Sequence, residues 1–134
     1  MAVVVVDTDV VSFTFKQDTR ARRFRRHLIG NELVVSFMTL AELDQWAMRR
    51  KWGLPTRERL DRHLRSYGVH YADRDLCRLW AEVIEQTRSQ GRSVQVADAW
   101  IAATALALGS PLITHNAADF QGVAGLTIIP EAGP

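Results

Sequence analysis

Val3-Val4-Val5-Val6-Asp7-Thr8-Asp9 is the stretch whose reading decides the fold. Four β-branched residues without a polar interruption make a strand buried on both faces, as strands in parallel sheets are. The run ends in two acids and a threonine, so a polar edge follows the strand at once. Leu33-Val34-Val35 and Leu112-Ile113 are short apolar runs of the same kind, and Leu126-Thr127-Ile128-Ile129 is another before Pro130. Val69-His70-Tyr71 is a weaker strand candidate. Helical patterning occupies residues 18–29, 37–52, 56–66, 74–90 and 96–108. Ser36 or Thr39, Thr56 after Pro55, and Asp73 are start signals, while Gly91 and Gly109 are stops. Short strands alternating with helices imply right-handed crossovers and a parallel sheet. The expectation is an α/β fold in three layers, α/β/α, with a central, mainly parallel sheet of four to five strands in one domain over residues 1–134.

A chain of 134 residues is long enough to bury a continuous core. Its 47% hydrophobic and 24% charged residues exclude disorder, collagen-like repeats and a coiled coil. Cys77 is the lone cysteine, which excludes an intramolecular disulfide and a cysteine-based zinc cluster and suits a reducing compartment. Residues 1–7 have no basic segment and reach an acid too early for a signal peptide. The most apolar stretch, residues 99–108, is about half the length a bilayer needs. A cytoplasmic protein without a membrane partner is expected.

The net charge is only +2, but it is unevenly spread. Residues 16–65 carry thirteen Lys and Arg against six acids, whereas the rest of the chain carries four against nine. After Arg92 there is no Lys or Arg, yet Asp98, Asp119 and Glu131 lie there. In open α/β sheets, ligands bind outside the carboxyl ends of the strands. Asp7-Thr8-Asp9 follows the first strand, Glu42 lies early in the helix after the second, and Thr114, His115, Asn116 and Asp119 follow Leu112-Ile113. Asp98 stands near the start of the helix that leads into that strand. Four segments therefore deliver oxygen ligands to one edge of the sheet.

Each acid also has a structural reading. Asp7 or Asp9 can cap the helix after the first strand, Thr39-x-x-Glu42 matches a capping box, and Asp98 can cap residues 99–108. Asp98 is the costliest to explain that way, because its helical neighbours Val94, Gln95, Ile101 and Ala102 offer no cation. A buried, unpartnered carboxylate costs several kcal/mol or becomes neutral. A divalent cation shared with Asp7 removes the problem. An all-oxygen set suits Mg²⁺ or Mn²⁺ rather than zinc, and such sites hold phosphate substrates and activate water. The basic segment has a matching partner: Ala21, Phe24 and Leu28 share one face of residues 18–29, and Arg22, Arg23, Arg25 and Arg26 spread over the other. That face is either simply solvated or a phosphate-tracking surface for a polyanion substrate.

Four blocks then resemble a known family over nearly the whole length. They are Val5-Val6-Asp7-Thr8-Asp9, the run from Ser36-Phe37-Met38-Thr39 through Glu42-Leu43, the run from Asp98-Ala99-Trp100 through Thr104-Ala105, and the run from Leu112-Ile113-Thr114-His115-Asn116 through Asp119-Phe120. In order and spacing the chain resembles a PIN-domain ribonuclease of the VapC toxin type. The resemblance implies a PIN-like fold and a metal-dependent endoribonuclease, a homodimer held inactive by a VapB-type antitoxin. It carries the acidic metal site onto Asp7, Glu42 and Asp98, a further acid onto Asp119, and supporting polar positions onto Thr8, Thr39, Thr114 and Asn116. This chain has Asp9 where the family usually has Asn, and Asn116 where some members place their last acid, so the fourth acid is Asp9 or Asp119. His115 is a candidate RNA contact.

Three rivals share features of this pattern. An apolar strand ending in Asp-x-Asp also opens haloacid-dehalogenase-type phosphatases and resembles a receiver domain, but both need a later catalytic Lys, and only Lys16 and Lys51 exist here. The third is a PIN domain that binds RNA or antitoxin without turnover, against which the intact acid set argues. Trp46, Trp52, Trp80 and Trp100 are read as packing residues rather than base-stacking ones.

Overall fold

Five strands form the sheet: β1 (Val3–Val6), β2 (Glu32–Ser36), β3 (Gly68–His70), β4 (Leu112–Ile113) and β5 (Ile128–Ile129). In this computed structural model, which describes residues 2–129, their order is β3-β2-β1-β4-β5 and every pairing is parallel. The Val3–Val6 run is the middle strand, so both of its edges and both of its faces are covered. Val4 and Val6 enter one apolar cluster and Val5 the other, the alternation that a pleated strand imposes.

The helices α1 (Thr8–Lys16), α3 (Phe37–Arg49) and α4 (Leu54–Leu64) close the first face with Val10, Val11, Phe13, Phe15, Leu43 and Leu60. The short α2 (Arg25–Leu28) lies between α1 and β2. On the other face, α5 (Arg74–Ser89) and α6 (Val96–Leu108) bring Val83, Ala99, Ile101, Ala102 and Ala105, joined by Phe120 and Val123. The expected three layers are present. From β1 the chain steps outward through β2 to β3, then returns through α5 and α6 to β4 on the opposite side of β1. The strand order therefore reverses between β1 and β4, and a reversal of that kind opens a crevice at the carboxyl ends of the two strands.

Local differences from the sequence reading have physical causes. Residues 18–29 are not one helix: a 3₁₀ segment, Thr19–Arg23, is followed by the four-residue α2. A continuous α-helix would set Arg22 against Arg25 and Arg26, and Arg23 against Arg26, at the spacings where like charges repel. The amphipathic split survives, because Phe24 is fully buried, Ala21 and Leu28 pack against its cluster, and the arginines stay exposed. α4 starts from Gly53 with Pro55 in its first turn rather than from Thr56. Ser36, not Thr39, caps α3 by accepting from Met38 N, and Asp73 caps α5 through Leu76 N. Pro130, which follows the last apolar run, lies outside the described residues. Among the described residues no helix is long and apolar enough to cross a membrane.

Candidate functional site

Asp7 sits at the point of reversal. Its backbone N–H continues the β1–β4 ladder by donating to Ile113 O at 2.9 Å. Its side chain caps α1, with Oδ1 accepting from Thr8 N at 2.8 Å and Oδ2 from Thr114 Oγ1 at 2.7 Å. Thr114 in turn accepts from Asn116 N at 3.0 Å. Asp7 is only 5% exposed, and burial with the neighbouring Asp9 charge pushes its carboxyl up to about 8, against the pull of the Thr114 and Thr8 hydrogen bonds. Asp9 is tied to the same loop, its Oδ1 accepting from Val10 N at 2.7 Å and its Oδ2 from Asn116 Nδ2 at 2.9 Å. Burial raises its pKa as well.

Glu42 is held by a hydroxyl relay. Thr8 Oγ1 donates to Glu42 Oε1 at 2.7 Å and lies 2.9 Å from Thr39 Oγ1. A hydroxyl has one proton, so Thr39 must donate to Thr8. This arrangement excludes the capping box: Thr39 is the third residue of α3, fully buried, and its side chain is committed to Thr8. Asp98 is the third residue of α6, whose cap position is Gln95 and carries no side-chain cap bond. The helix-cap reading of Asp98 therefore falls away. Among the described residues no donor hydrogen-bonds Asp98. Burial, then the charges of Asp119, Glu42 and Asp9, push it up to about 6. The helices that present Glu42 and Asp98 are locked together by rings: Phe37 of α3 meets Trp100 of α6 edge-on at 5.3 Å, and Trp100 stacks on Trp80 of α5 at 5.3 Å.

These groups line one cleft of about 400 Å³. Asp7, Thr8, Asp9, Glu42, Asp98 and Asp119 all contribute to its wall, with Asn116 beside them. Asp119 comes from the 3₁₀ turn Ala117–Phe120, anchored by buried Phe120. Thr39 and Thr114 lie beneath as buried supports. The acids sense one another's charge, yet among the described residues no three are gathered into a ready-made ligand set. Glu42 and Asp9 each spend one oxygen on a neighbour, Thr8 and Asn116.

Some residues singled out in the sequence stand elsewhere. Arg22 and Arg25 line a separate groove with Thr14, Leu28 and Ile29, and none of Arg22, Arg23, Arg25 and Arg26 reaches the acid cleft. His115 packs edge-on against Phe13 at 5.2 Å and Phe24 at 6.4 Å and does not line the cleft. Trp52, Trp80 and Trp100 are half-buried packing residues, as expected, but Trp46 also lines the cleft. Ser12, Gln45 and Arg49 line it too and were missed. Helical spacing was the signal: Glu42, Gln45, Trp46 and Arg49 fall at i, i+3, i+4 and i+7 on one face of α3.

A family profile described as PIN domain matches residues 4–126. Ribonuclease VapC1 of Haemophilus influenzae is 29% identical over 126 residues, covering 92% of this chain and 94% of the relative. The structure of VapBC-1 from nontypeable Haemophilus influenzae has a chain that superposes with a TM-score of 0.79 at 26% identity, covering 97% of this chain and 98% of that one. VapBC-5 from Mycobacterium tuberculosis, a member of the VapBC family of toxin–antitoxin systems, gives a TM-score of 0.71 at 27% identity, covering 97% and 99%. The profile match runs from inside β1 to the threshold of β5 and so takes in every segment that feeds the acid cleft: the chain belongs to the PIN-domain family.

Proposed function

We propose that this chain is a VapC-like toxin, an endoribonuclease that hydrolyses RNA phosphodiester bonds in the acid cleft and is held inactive by a VapB-type antitoxin. The observation that carries the reading is Asp98: a carboxyl with no donor or cation partner among the described residues, facing the same cleft as buried Asp7 at the strand-order reversal. The likeness to ribonuclease VapC1 over most of both chains supports the RNA substrate, and the likeness to VapBC structures supports the antitoxin. In this reading Asp7, Glu42, Asp98 and Asp119 are the catalytic carboxylates, with Asp7, Asp98 and Glu42 as the metal ligands.

The donor set fits a hard cation, because it is made of carboxylates with amide and hydroxyl neighbours and no sulfur. A Mg²⁺ or Mn²⁺ ion bound there supplies charge neutralisation at the phosphate and a more acidic attacking water. The protein's own part is orientation. Thr114 and the Thr8 amide fix both oxygens of Asp7. Thr8 occupies Oε1 of Glu42, leaving Oε2 to accept from water or substrate. Asn116 holds Asp9 at the rim, and Asp119 is the more open of the two fourth-acid candidates. Arg22, Arg23, Arg25 and Arg26 serve a strand long enough to leave the cleft. A homodimer in the cytoplasm completes the reading.

The phosphatase and receiver alternatives need a lysine at the acids, and neither Lys16 nor Lys51 lines the cleft. The test is RNA cleavage by the purified protein with Mn²⁺, with and without EDTA, beside Asp98→Asn. We expect EDTA to stop cleavage and the substitution to cost about a hundredfold or more in rate. Phosphotransfer to Asp7, or no RNA cleavage under any divalent cation, overturns the reading.

A further inference from the structure

A second depression, of about 300 Å³, adjoins the acid cleft and shares Asp98 and Asp119 with it. Arg92 and Gln121, which the catalytic reading does not use, also line it. Arg92 is the last cation of the sequence, and its side chain has a built seat. A Cβ on Gly122 would stand 2.5 Å from Arg92 Cδ and 2.9 Å from its Nε, so the arginine stem lies where any other residue would carry a side chain. Gly122 also has φ +90°, which favours glycine. The seat is fastened from α5: Gln86 Nε2 donates to Gly122 O at 2.7 Å, and Gln86 Oε1 accepts from Ala124 N at 3.0 Å.

Despite this seat the guanidinium is underused. It makes one long hydrogen bond, to Gln121 Oε1 at 3.4 Å, and among the described residues it has no ion pair, although two carboxylates border the same depression. A guanidinium carries five donors in a fork that fits phosphate oxygens. The acid cleft alone repels a polyanion, so a strand lying across it needs cations beside the acids rather than among them. Arg49 provides one within the cleft, and Arg92 provides one beyond Asp98 and Asp119. Because the two depressions share a wall, a single extended molecule can occupy both.

We infer that the substrate strand runs through both depressions, with a phosphate next to the cleaved one bound by Arg92, and that Gly122 is the positioning residue that lets Arg92 lie there. The inference rests on the ribonuclease reading above. It is tested by the binding of a pool of single-stranded RNA of about a dozen residues to Asp98→Asn protein, followed by fluorescence anisotropy over a salt series. Arg92→Ala on that background should weaken binding roughly five- to twentyfold and flatten the slope of log affinity against log salt by about 0.7. Gly122→Ala should copy Arg92→Ala, and the two together should be no worse than one. Since alanine is strained at that φ, Arg92→Gln carries the test if Gly122→Ala does not fold. Arg88→Ala, which removes an equal charge outside both depressions, should change neither quantity. With Asp98 restored, Arg92→Ala should raise KM and leave kcat within about twofold. Unchanged affinity and slope in Arg92→Ala, where the parent binds RNA, overturns this inference alone. A parent that does not bind RNA and, with Asp98 restored, does not cut it overturns the ribonuclease reading and this inference with it.

Discussion

The two faces of the sheet are filled in different proportions. Beneath α1, α3 and α4 the core sets four buried rings, Phe13, Phe15, Phe24 and Tyr67, among its valines and leucines, with Trp46 and Trp52 at its margin. Beneath α6 the helix itself contributes three alanines, Ala99, Ala102 and Ala105, beside Ile101, against Val5 and Leu112, with Phe120 as the buried ring of that cluster. Rings bury much area but hold helices away from the sheet, whereas alanines let a helix backbone approach closely. Asp98 directly precedes Ala99, so the close-packed face places the carboxylate next to the end of β1. The aromatic face supplies bulk stability, and the alanine face supplies position. The aromatic face also tolerates polar groups, provided they are satisfied. Thr14 Oγ1 donates to Val11 O at 2.8 Å and stands 3.0 Å from His63 Nε2 and 3.1 Å from Tyr67 OH. With its one proton spent on Val11, it accepts from both, which sets the His63 tautomer. Burial lowers the His63 pKa and raises that of Tyr67.

If this division of labour is right, the largest loss of stability should come from the aromatic face. Phe24→Ala should cost about 3–5 kcal/mol in urea unfolding, because a fully buried ring is removed from beneath the arginine segment. Cleavage per folded molecule should fall less than stability does, since Phe24 does not line the acid cleft and reaches it only through His115 and the arginine segment. Ala102→Leu is the converse experiment. Its stability loss should be smaller, about 1–3 kcal/mol, but α6 must lift from the sheet, so cleavage should fall well beyond the folded fraction lost. An Ala102→Leu protein with full activity per folded molecule would remove the positional role of that face.

The smallest effect has the opposite sign. Asp98 has a folded-state pKa of about 6 against an ordinary 3.8, so between these values the native state binds more protons than the unfolded chain. Stability then falls as pH rises through that window, and the penalty is complete above about pH 6. Asp98→Asn should therefore stabilise the metal-free protein at pH 8 by about 1 kcal/mol, after discounting for the half-exposed carboxyl, and by nothing below about pH 4. Thermal melts at the two pH values measure this. Added Mn²⁺ should reverse the order at pH 8, stabilising the parent and not the variant.

Much of this was legible from residue type and order alone. The Val3–Val6 run and the short apolar runs after it specified a parallel sheet, because only a strand buried on both faces reads as uninterrupted β-branched residues. The acids were legible because each follows the carboxyl end of an element, and Asp98 stood out for want of a cation. The arginine segment was harder. Periodicity reports which side is apolar, and Phe24 fulfils that reading, but it does not register like-charge repulsion along the helix that broke residues 18–29 in two. The support given by Thr8 to Glu42 and the seat of Arg92 on Gly122 depend on contacts across 34 and 30 positions, and no local pattern encodes such pairs. The mimicry of a capping box by Thr39 and Glu42 shows the same limit: the spacing was correct, and the hydroxyl turned to another helix.

The bond between Thr114 and Asp7 spans 107 residues, and it joins the first strand to the fourth. Synthesis of the intervening chain takes roughly 5–20 s at 5–20 residues per second. Throughout that interval β1 can pair with β2 but has an open edge where β4 will lie, and Asp7 has only the Thr8 amide to orient it. Because Asn116 and Asp119 also line the cleft, no nascent chain shorter than about 119 residues can hold it in finished form. The order of strands works as a timer on the ribosome, with the acid centre among the last features of the protein to come into existence.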